Sequence, residues 1–301
     1  MQGECQRWKE LRLDEGVEDI MDTIIGLGKA GCRIADRFSQ YPQYKIYKID
    51  VGLKGLKKNG IYNLPKQSGP EKYEEKCPSM KNFLKGVNGD VLFVVGGSGD
   101  VSAASLRILE HIRDCRINIL YIRPDVSLLS ETKKNHEWVT FNVLQEYTRS
   151  GVFQRMLVVQ NTTVEEAIGE VSIIGYHDKL NEMIVSTLHM INVYNHIDSV
   201  TDTFGEAPET ARISTFGFYD LEEEEEKLFF SLDNCRELRY YYAIKKEDLE
   251  TDSGLFKQIR QQVKQNEIKT SYGIYSTNYD KNFVYVLAHS SIVQGGAYDV
   301  S

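Results

Sequence analysis

Two glycine-rich turns, each following an apolar run and each leading into a helical pattern, constrain this chain more than any other feature. The first is Thr23-Ile24-Ile25-Gly26-Leu27-Gly28-Lys29-Ala30-Gly31-Cys32, and the second is Val91-Leu92-Phe93-Val94-Val95-Gly96-Gly97-Ser98-Gly99-Asp100. Glycine lets a backbone turn sharply from strand to helix and lets its N–H groups approach an anion, while the helix N-terminus behind it adds partial positive charge. One such turn suggests a phosphate. Two suggest a nucleotide held from both sides.

Apolar runs alternate with helical periodicity along the first two thirds, the pattern of a parallel sheet with helices on its faces. Strands are expected at 21–25, 44–50, 91–95, 117–122 and 156–159. Helices are expected at 31–40, 71–85, 101–114, 133–148 and 164–170, with a long apolar-striped one from about 177 to 194. After a loop at 201–208, strands are expected at 212–219 and 238–244, a final strand pair at 271–276 and 283–289, and helices at 221–232 and 254–265. The glutamate run at 222–226 reads as a solvated helix face. These boundaries give an N-terminal extension (1–20), a nucleotide-binding domain (21–176), a central helix and following loop (177–207) and a smaller domain (208–301).

Composition narrows the partners. The 301 residues, 41% hydrophobic and 27% charged, suffice for about two domains with a substantial core. A net charge of -8 argues against direct nucleic-acid binding and against an anionic membrane, both of which require clustered cations. Five cysteines, scattered without a CxxC pair, suggest neither a disulfide framework nor a zinc site, so no metal ligand set is assigned. They read as reduced intracellular thiols. With a polar N-terminus and no apolar run of about 18 residues, a cytoplasmic protein is expected.

Gly26-x-Gly28-x-x-Gly31 has the spacing of a dinucleotide fingerprint, and Asp50 closes the next strand where an acid would meet a ribose hydroxyl. This reading gives an NAD-dependent oxidoreductase, although no residues for hydride transfer stand out. Glycine turns between strand and helix also arise from packing alone. The second turn points elsewhere, because a dinucleotide unit needs only one glycine-rich pyrophosphate turn.

Residues 26–32 resemble the first nucleotide loop of the tubulin/FtsZ family, and Gly96-Gly97-Ser98-Gly99 resembles its GGTG signature loop. The resemblance covers nearly the whole chain. It implies an α/β fold: a Rossmann-like parallel-sheet nucleotide-binding domain, a long central helix and a smaller α/β C-terminal domain. It also implies GTP or GDP as ligand, with Mg²⁺ as a candidate companion. On this resemblance the nucleotide set comprises Gly26, Gly28, Lys29, Ala30, Gly31, Cys32, Arg33, Asp50, Gly96, Gly97, Ser98, Gly99 and Asp100. Arg123-Pro124 resembles the family's KP loop, and Glu131 with Lys133 and Lys134 resembles its EGxxR pattern. Asn161 and Asp178 match the family's guanine-recognising Asn and Asp; a carboxylate suits guanine, which presents two donors on that edge.

Several positions depart from the family pattern. Asp100 stands where a neutral residue is usual; it either caps its own helix or helps hold a cation. Arg33 replaces an Asn that touches guanine, and Ile174, with Tyr176 nearby, replaces a stacking aromatic. The family's catalytic NxDxxD loop corresponds to Asn192-Val193-Tyr194-Asn195-His196-Ile197-Asp198, so its first acid has become Tyr194 and Asp198 stands one place late. Asn192 and Asp198 remain the catalytic candidates. Phosphoryl transfer depends on positioning, so weak or absent GTPase activity is expected.

In the family that loop completes the site of the next subunit, which implies a head-to-tail homopolymer. The chain ends soon after 291–296, without the linker and peptide that recruit partners in bacterial FtsZ, which suits a divergent phage- or plasmid-type member. A nucleotide-free, structural member of the same fold is the other open reading.

Overall fold

The computed structural model describes residues 23–55, 59–169, 171–205, 209–221 and 223–295. The chain divides into two compact units, one of residues 1–95 with 99–118, the other of residues 96–98 with 119–301.

In the first unit, β1 (Thr23–Leu27) is wholly buried and lies between β2 (Lys45–Asp50) and β4 (Asp90–Gly96), with β3 (Ile61–Asn63) beyond β2. All of these pairings are parallel. The order β3-β2-β1-β4 is one half of a doubly wound sheet, in which strands covered on both faces read as continuous apolar runs. Helix α1 (Gly28–Phe38) buries Cys32, Ile34, Ala35 and Phe38. It begins at Gly28, three residues earlier than the periodicity suggests.

Two expected helices are cut short. Residues 71–85 hold only α2 (Pro70–Glu75), with Pro70 in its first turn; the chain then forms turns around buried Met80 and Leu84. The 101–114 segment is a 3₁₀ turn (Asp100–Ala104), the short α3 (Ser105–Leu109) and another 3₁₀ turn (Glu110–Ile112). Ser102 and Ser105 hydroxyls donate to the carbonyls of Gly99 (2.7 Å) and Ser102 (2.6 Å), which favours this tighter winding. Strand β5 (Arg116–Arg123) crosses from the first unit into the second.

The second unit continues with α4 (Glu131–Arg149), β6 (Arg155–Gln160), α5 (Asn161–Ile168) and the long α6 (Tyr176–Tyr194). After β7 (Thr201–Asp202) come β8 (Ile213–Asp220), β9 (Glu225–Leu228), β10 (Cys235–Lys245), α7 (Lys246–Thr251), α8 (Leu255–Gln265), β11 (Lys269–Thr277) and β12 (Phe283–Ser290). Strand β10 separates the two segments expected to pair: β11 joins it in parallel and β12 antiparallel, and β12 pairs with β8. One face of this sheet packs Leu238, Tyr240, Tyr242 and Val286 with Ile259 of α8.

The expected helix at 221–232 is instead a hairpin. Strand β9 pairs antiparallel with β8, Glu224 takes a positive φ of 56°, and Lys227 bridges Asp220 and Glu223 across the turn. The Tyr240 hydroxyl donates to Glu226. Buried Phe229 and Phe230 anchor the returning strand, so long-range packing overrides the helical preference of glutamate. No helix among the described residues is long and apolar enough to cross a membrane.

Candidate functional site

The glycines of the first turn sit in two different environments. A methyl group on Gly26 would collide with the Gly31 carbonyl, and one on Gly31 with the Val94 carbonyl, so these two glycines let α1 lie directly against β1 and β4. Gly28 differs: its φ is +70° and its nearest neighbour, the Val101 Cβ, is 3.9 Å from where a side chain would begin. It opens α1, whose cap residue Leu27 supplies no side-chain bond and whose first turn holds Lys29 and no acid. The N–H groups of such a first turn have no intrahelical acceptor and carry partial positive charge.

Cys32, buried, donates its thiol to the carbonyls of Gly26 (3.4 Å) and Ile49 (3.7 Å). Burial, with the Asp50 charge, pushes this thiol up to about 12, so it is a structural group of the turn. Asp50 at the end of β2 accepts the N–H of Val51 at 2.8 Å. Its carboxyl is raised by burial and partly offset by that bond and by Lys29. The first unit therefore gathers Lys29, Cys32 and Asp50 around the start of α1, with Ala30 half-buried and Arg33 exposed.

The second turn is built differently. Gly97 donates to the Ile122 carbonyl (3.1 Å), and a methyl group there would meet the hydroxyl of Tyr121 and the Glu137 side chain. Tyr121 donates to Glu137 Oε1 at 3.2 Å, and Arg123 Nε meets the same oxygen at 3.2 Å. Arg123 also lies 4.8 Å from the Phe141 ring centre, and its Nη2 is buried without a hydrogen-bond acceptor among the described residues. Lys133 Nζ donates to the Ser98 carbonyl at 3.1 Å.

Glu137 and Tyr121 thus support the turn, and sequence reasoning misses both. An acid within Asn-His-Glu-Trp reads as a solvated helix residue, and only its position on the inner face of α4 betrays it. Gly96 and Ser98 are half-buried, whereas Gly99 is exposed with open space about it. Gly99 is the cap residue of the 3₁₀ turn, and Asp100 is half-buried in its first turn.

The remaining positions lie at helix ends of the second unit. Half-buried Pro124 precedes Asp125, whose carboxylate accepts the Ser127 N–H at 2.9 Å, and exposed Glu131 opens α4, paired with Lys134 at 2.8 Å. Asn161 opens α5 after Gln160, whose side chain donates to Thr162 at 2.8 Å. Asp178 stands exposed in the first turn of α6, after the left-handed Gly175 (φ 84°). Tyr176 donates to Glu165 of α5 at 2.7 Å, while Ile174 is 92% exposed. Burial together with that carboxylate raises the Tyr176 phenol to about 12.

At the far end of α6, packing fixes the residues of the 192–198 run. Tyr194 is 3% exposed and packs against Tyr275, Tyr285 and Tyr241, with ring centres 4.4, 5.9 and 6.5 Å away. Tyr275 donates to the Tyr194 carbonyl and Tyr241 to the Asn195 side chain, both at 2.8 Å. Position 194 therefore faces the interior, where a lone carboxylate is costly. Asn192 is also buried, and its carbonyl accepts from His196 Nδ1 at 2.7 Å; Asp198 is exposed in the following loop. No group of three or more His, Cys, Asp or Glu able to hold a metal occurs among the described residues.

No family model and no curated protein matches the sequence. Solved structures do match. A four-stranded filament of TubZ from Bacillus thuringiensis aligns at TM-score 0.69 and 17% identity, covering 94% of this chain and 90% of that one. CetZ from Methanosaeta thermophila aligns at 0.66 and 14% identity, over 92% and 88%. An empty FtsZ dimer from M. jannaschii aligns at 0.61 and 12% identity, over 94% and 91%. The chain has the tubulin/FtsZ fold. That fold accounts for the parallel sheet, the long α6 and the smaller mixed sheet that follows it.

Proposed function

We propose that this chain binds guanine nucleotide and assembles head-to-tail with copies of itself, hydrolysing GTP slowly or not at all. The observation that carries the reading is the Gly26–Gly31 turn. Two glycines bring α1 onto the sheet, and a third, left-handed and unobstructed, opens the helix N-terminus beside Lys29. Such a terminus suits a phosphate. Relatives in fold support the ligand and the assembly: TubZ structures are described as GDP-form and GTPγS-form protofilaments. In this reading Gly96–Gly99 supply further backbone donors, and Asn161 and Asp178 read the guanine edge. The bound nucleotide would supply the scissile phosphoanhydride, and Mg²⁺ would offset the negative charge of Asp100 and of the phosphates.

Slow hydrolysis follows from α6. An inward Tyr194 removes one acid from the loop, leaving Asp198 as the exposed carboxylate nearest in sequence. Competition between fluorescent GTP and unlabelled GTP, ATP and NAD tests the ligand: displacement by GTP and GDP alone is expected, and equal displacement by NAD supports the oxidoreductase reading instead. Phosphate release should be far below that of an active GTPase and should fall further in Asp198→Ala. Rapid turnover unaffected by that substitution contradicts the proposal.

A further inference from the structure

The strand register of the second unit lines up a polar row on one sheet face. Leu157 of β6 pairs with Ser214 of β8, Ser214 with His289 of β12, His289 with Glu237 of β10, and Glu237 with Lys269 of β11. Side chains alternate between faces along a strand, so Arg155, two residues before Leu157, and Arg239, two after Glu237, share that face.

The row holds two groups of contacting side chains, brought side by side by the pairing of β10 with β12. Arg155 Nη1 lies 2.6 Å from His289 Nδ1, and Ser214 Oγ lies 2.8 Å from the same nitrogen. Glu237, fully buried, pairs with Arg239 (3.0 Å) and Lys269 (3.1 Å). Arg212, half-buried, donates to the Gln154 carbonyl at 3.1 Å and is close enough to affect the charge of Arg155.

Among the described residues the charges do not balance: four cations, Arg155, Arg212, Arg239 and Lys269, stand with one carboxylate, Glu237, which is already committed to two of them. Burial and the neighbouring cations hold the His289 imidazole well below its usual range, so it is neutral. Burial also raises the Tyr241 phenol to about 12, so it brings no negative charge. Burial, with Arg239, lowers Arg155 to about 10, and it stays cationic at neutral pH. Among the described residues Arg155 makes no ion pair; its side-chain hydrogen bonds go to an uncharged ring. A half-buried guanidinium in such surroundings favours an anion.

We propose that this row is an anion site for a phosphate-sized tetrahedral oxyanion, gripped by the planar fork of Arg155 with Arg239 and Arg212 adding positive potential. A guanidinium fork matches two oxygens of such an ion, and the partly buried setting strengthens the contact. None of these residues belongs to the proposed nucleotide set, so the site stands independently of GTP binding.

The test is titration of the purified full chain with inorganic phosphate, followed by the His289 ring resonances and by thermal melting, against chloride at matched ionic strength. Saturable shifts and a melting temperature raised by about 3 °C or more are expected with phosphate alone. Arg155→Lys, which keeps the charge but loses the fork, should weaken binding about tenfold. Arg212→Gln, at a half-buried position whose side chain, among the described residues, bonds a backbone carbonyl, should weaken it about threefold and keeps the test available where an Arg155 variant misfolds. GTP binding should be unchanged in both. Equal responses to phosphate and chloride, unchanged phosphate affinity in Arg212→Gln, or acetate binding as tight as phosphate would each overturn the proposal.

Discussion

The two glycine turns look alike in sequence and are held by different means. In the first, backbone packs against backbone: Gly26 and Gly31 leave no room for a methyl group beside the carbonyls of Gly31 and Val94. In the second, the close neighbours of Gly97 are side chains, Tyr121 and Glu137, while Gly99 faces open space. The first turn is thus fixed by the sheet itself. The second depends on a buried Tyr121–Glu137–Arg123 cluster that the sequence around it does not announce. Glycine spacing alone cannot tell the two cases apart, because a glycine that avoids a carbonyl and one that avoids a hydroxyl are the same letter.

Substitutions should separate them. Gly31→Ala and Gly26→Ala push a methyl group into rigid backbone and should each cost about 3 kcal/mol or more, read as a fall in the urea midpoint or as loss of soluble protein. Gly97→Ala should cost about 1–3 kcal/mol, since side chains can move. Adding Tyr121→Phe, which removes the colliding hydroxyl, should recover about half of that loss; no recovery would mean that the second turn is as backbone-locked as the first. Gly28→Ala should cost only about 1–2 kcal/mol for its left-handed backbone, yet weaken GTP binding at least tenfold. Gly99→Ala, at a φ of -80° with no neighbour within 4 Å, should stay within about 0.5 kcal/mol of the parent. At the thiol level, Cys32 should resist alkylation in the folded protein until denaturant is added, because burial keeps it protonated.

Much of the fold was legible because buried parallel strands leave continuous apolar runs: β1, β4, β5 and β6 fall where hydrophobicity puts them, with ends shifted by one or two residues. The failures share a cause in packing between distant residues. The 225–228 strand is rich in glutamate and would be helical alone, but Tyr240 and the anchors Phe229 and Phe230 hold it in a hairpin. Segment 101–114 has helical periodicity, but serine hydroxyls bonded to carbonyls three residues back tighten it into 3₁₀ turns. For the site, the glycine spacing is a local signal and marks where α1 begins, but residue types are silent on packing between distant segments. They could not reveal that Arg123 points inward to Glu137, or that Tyr194, at the end of α6, packs into an aromatic cluster drawn from three strands.

Central to this account is that the first turn binds guanine nucleotide and that binding drives assembly. The most direct measurement is sedimentation of the purified chain with labelled GTP, GDP or no nucleotide, alongside Gly28→Ala. The account predicts that the chain pellets with GTP, that label is retained in the pellet with little phosphate released, and that Gly28→Ala stays in the supernatant although folded. Pelleting that is equal without nucleotide, with no label retained, would contradict it.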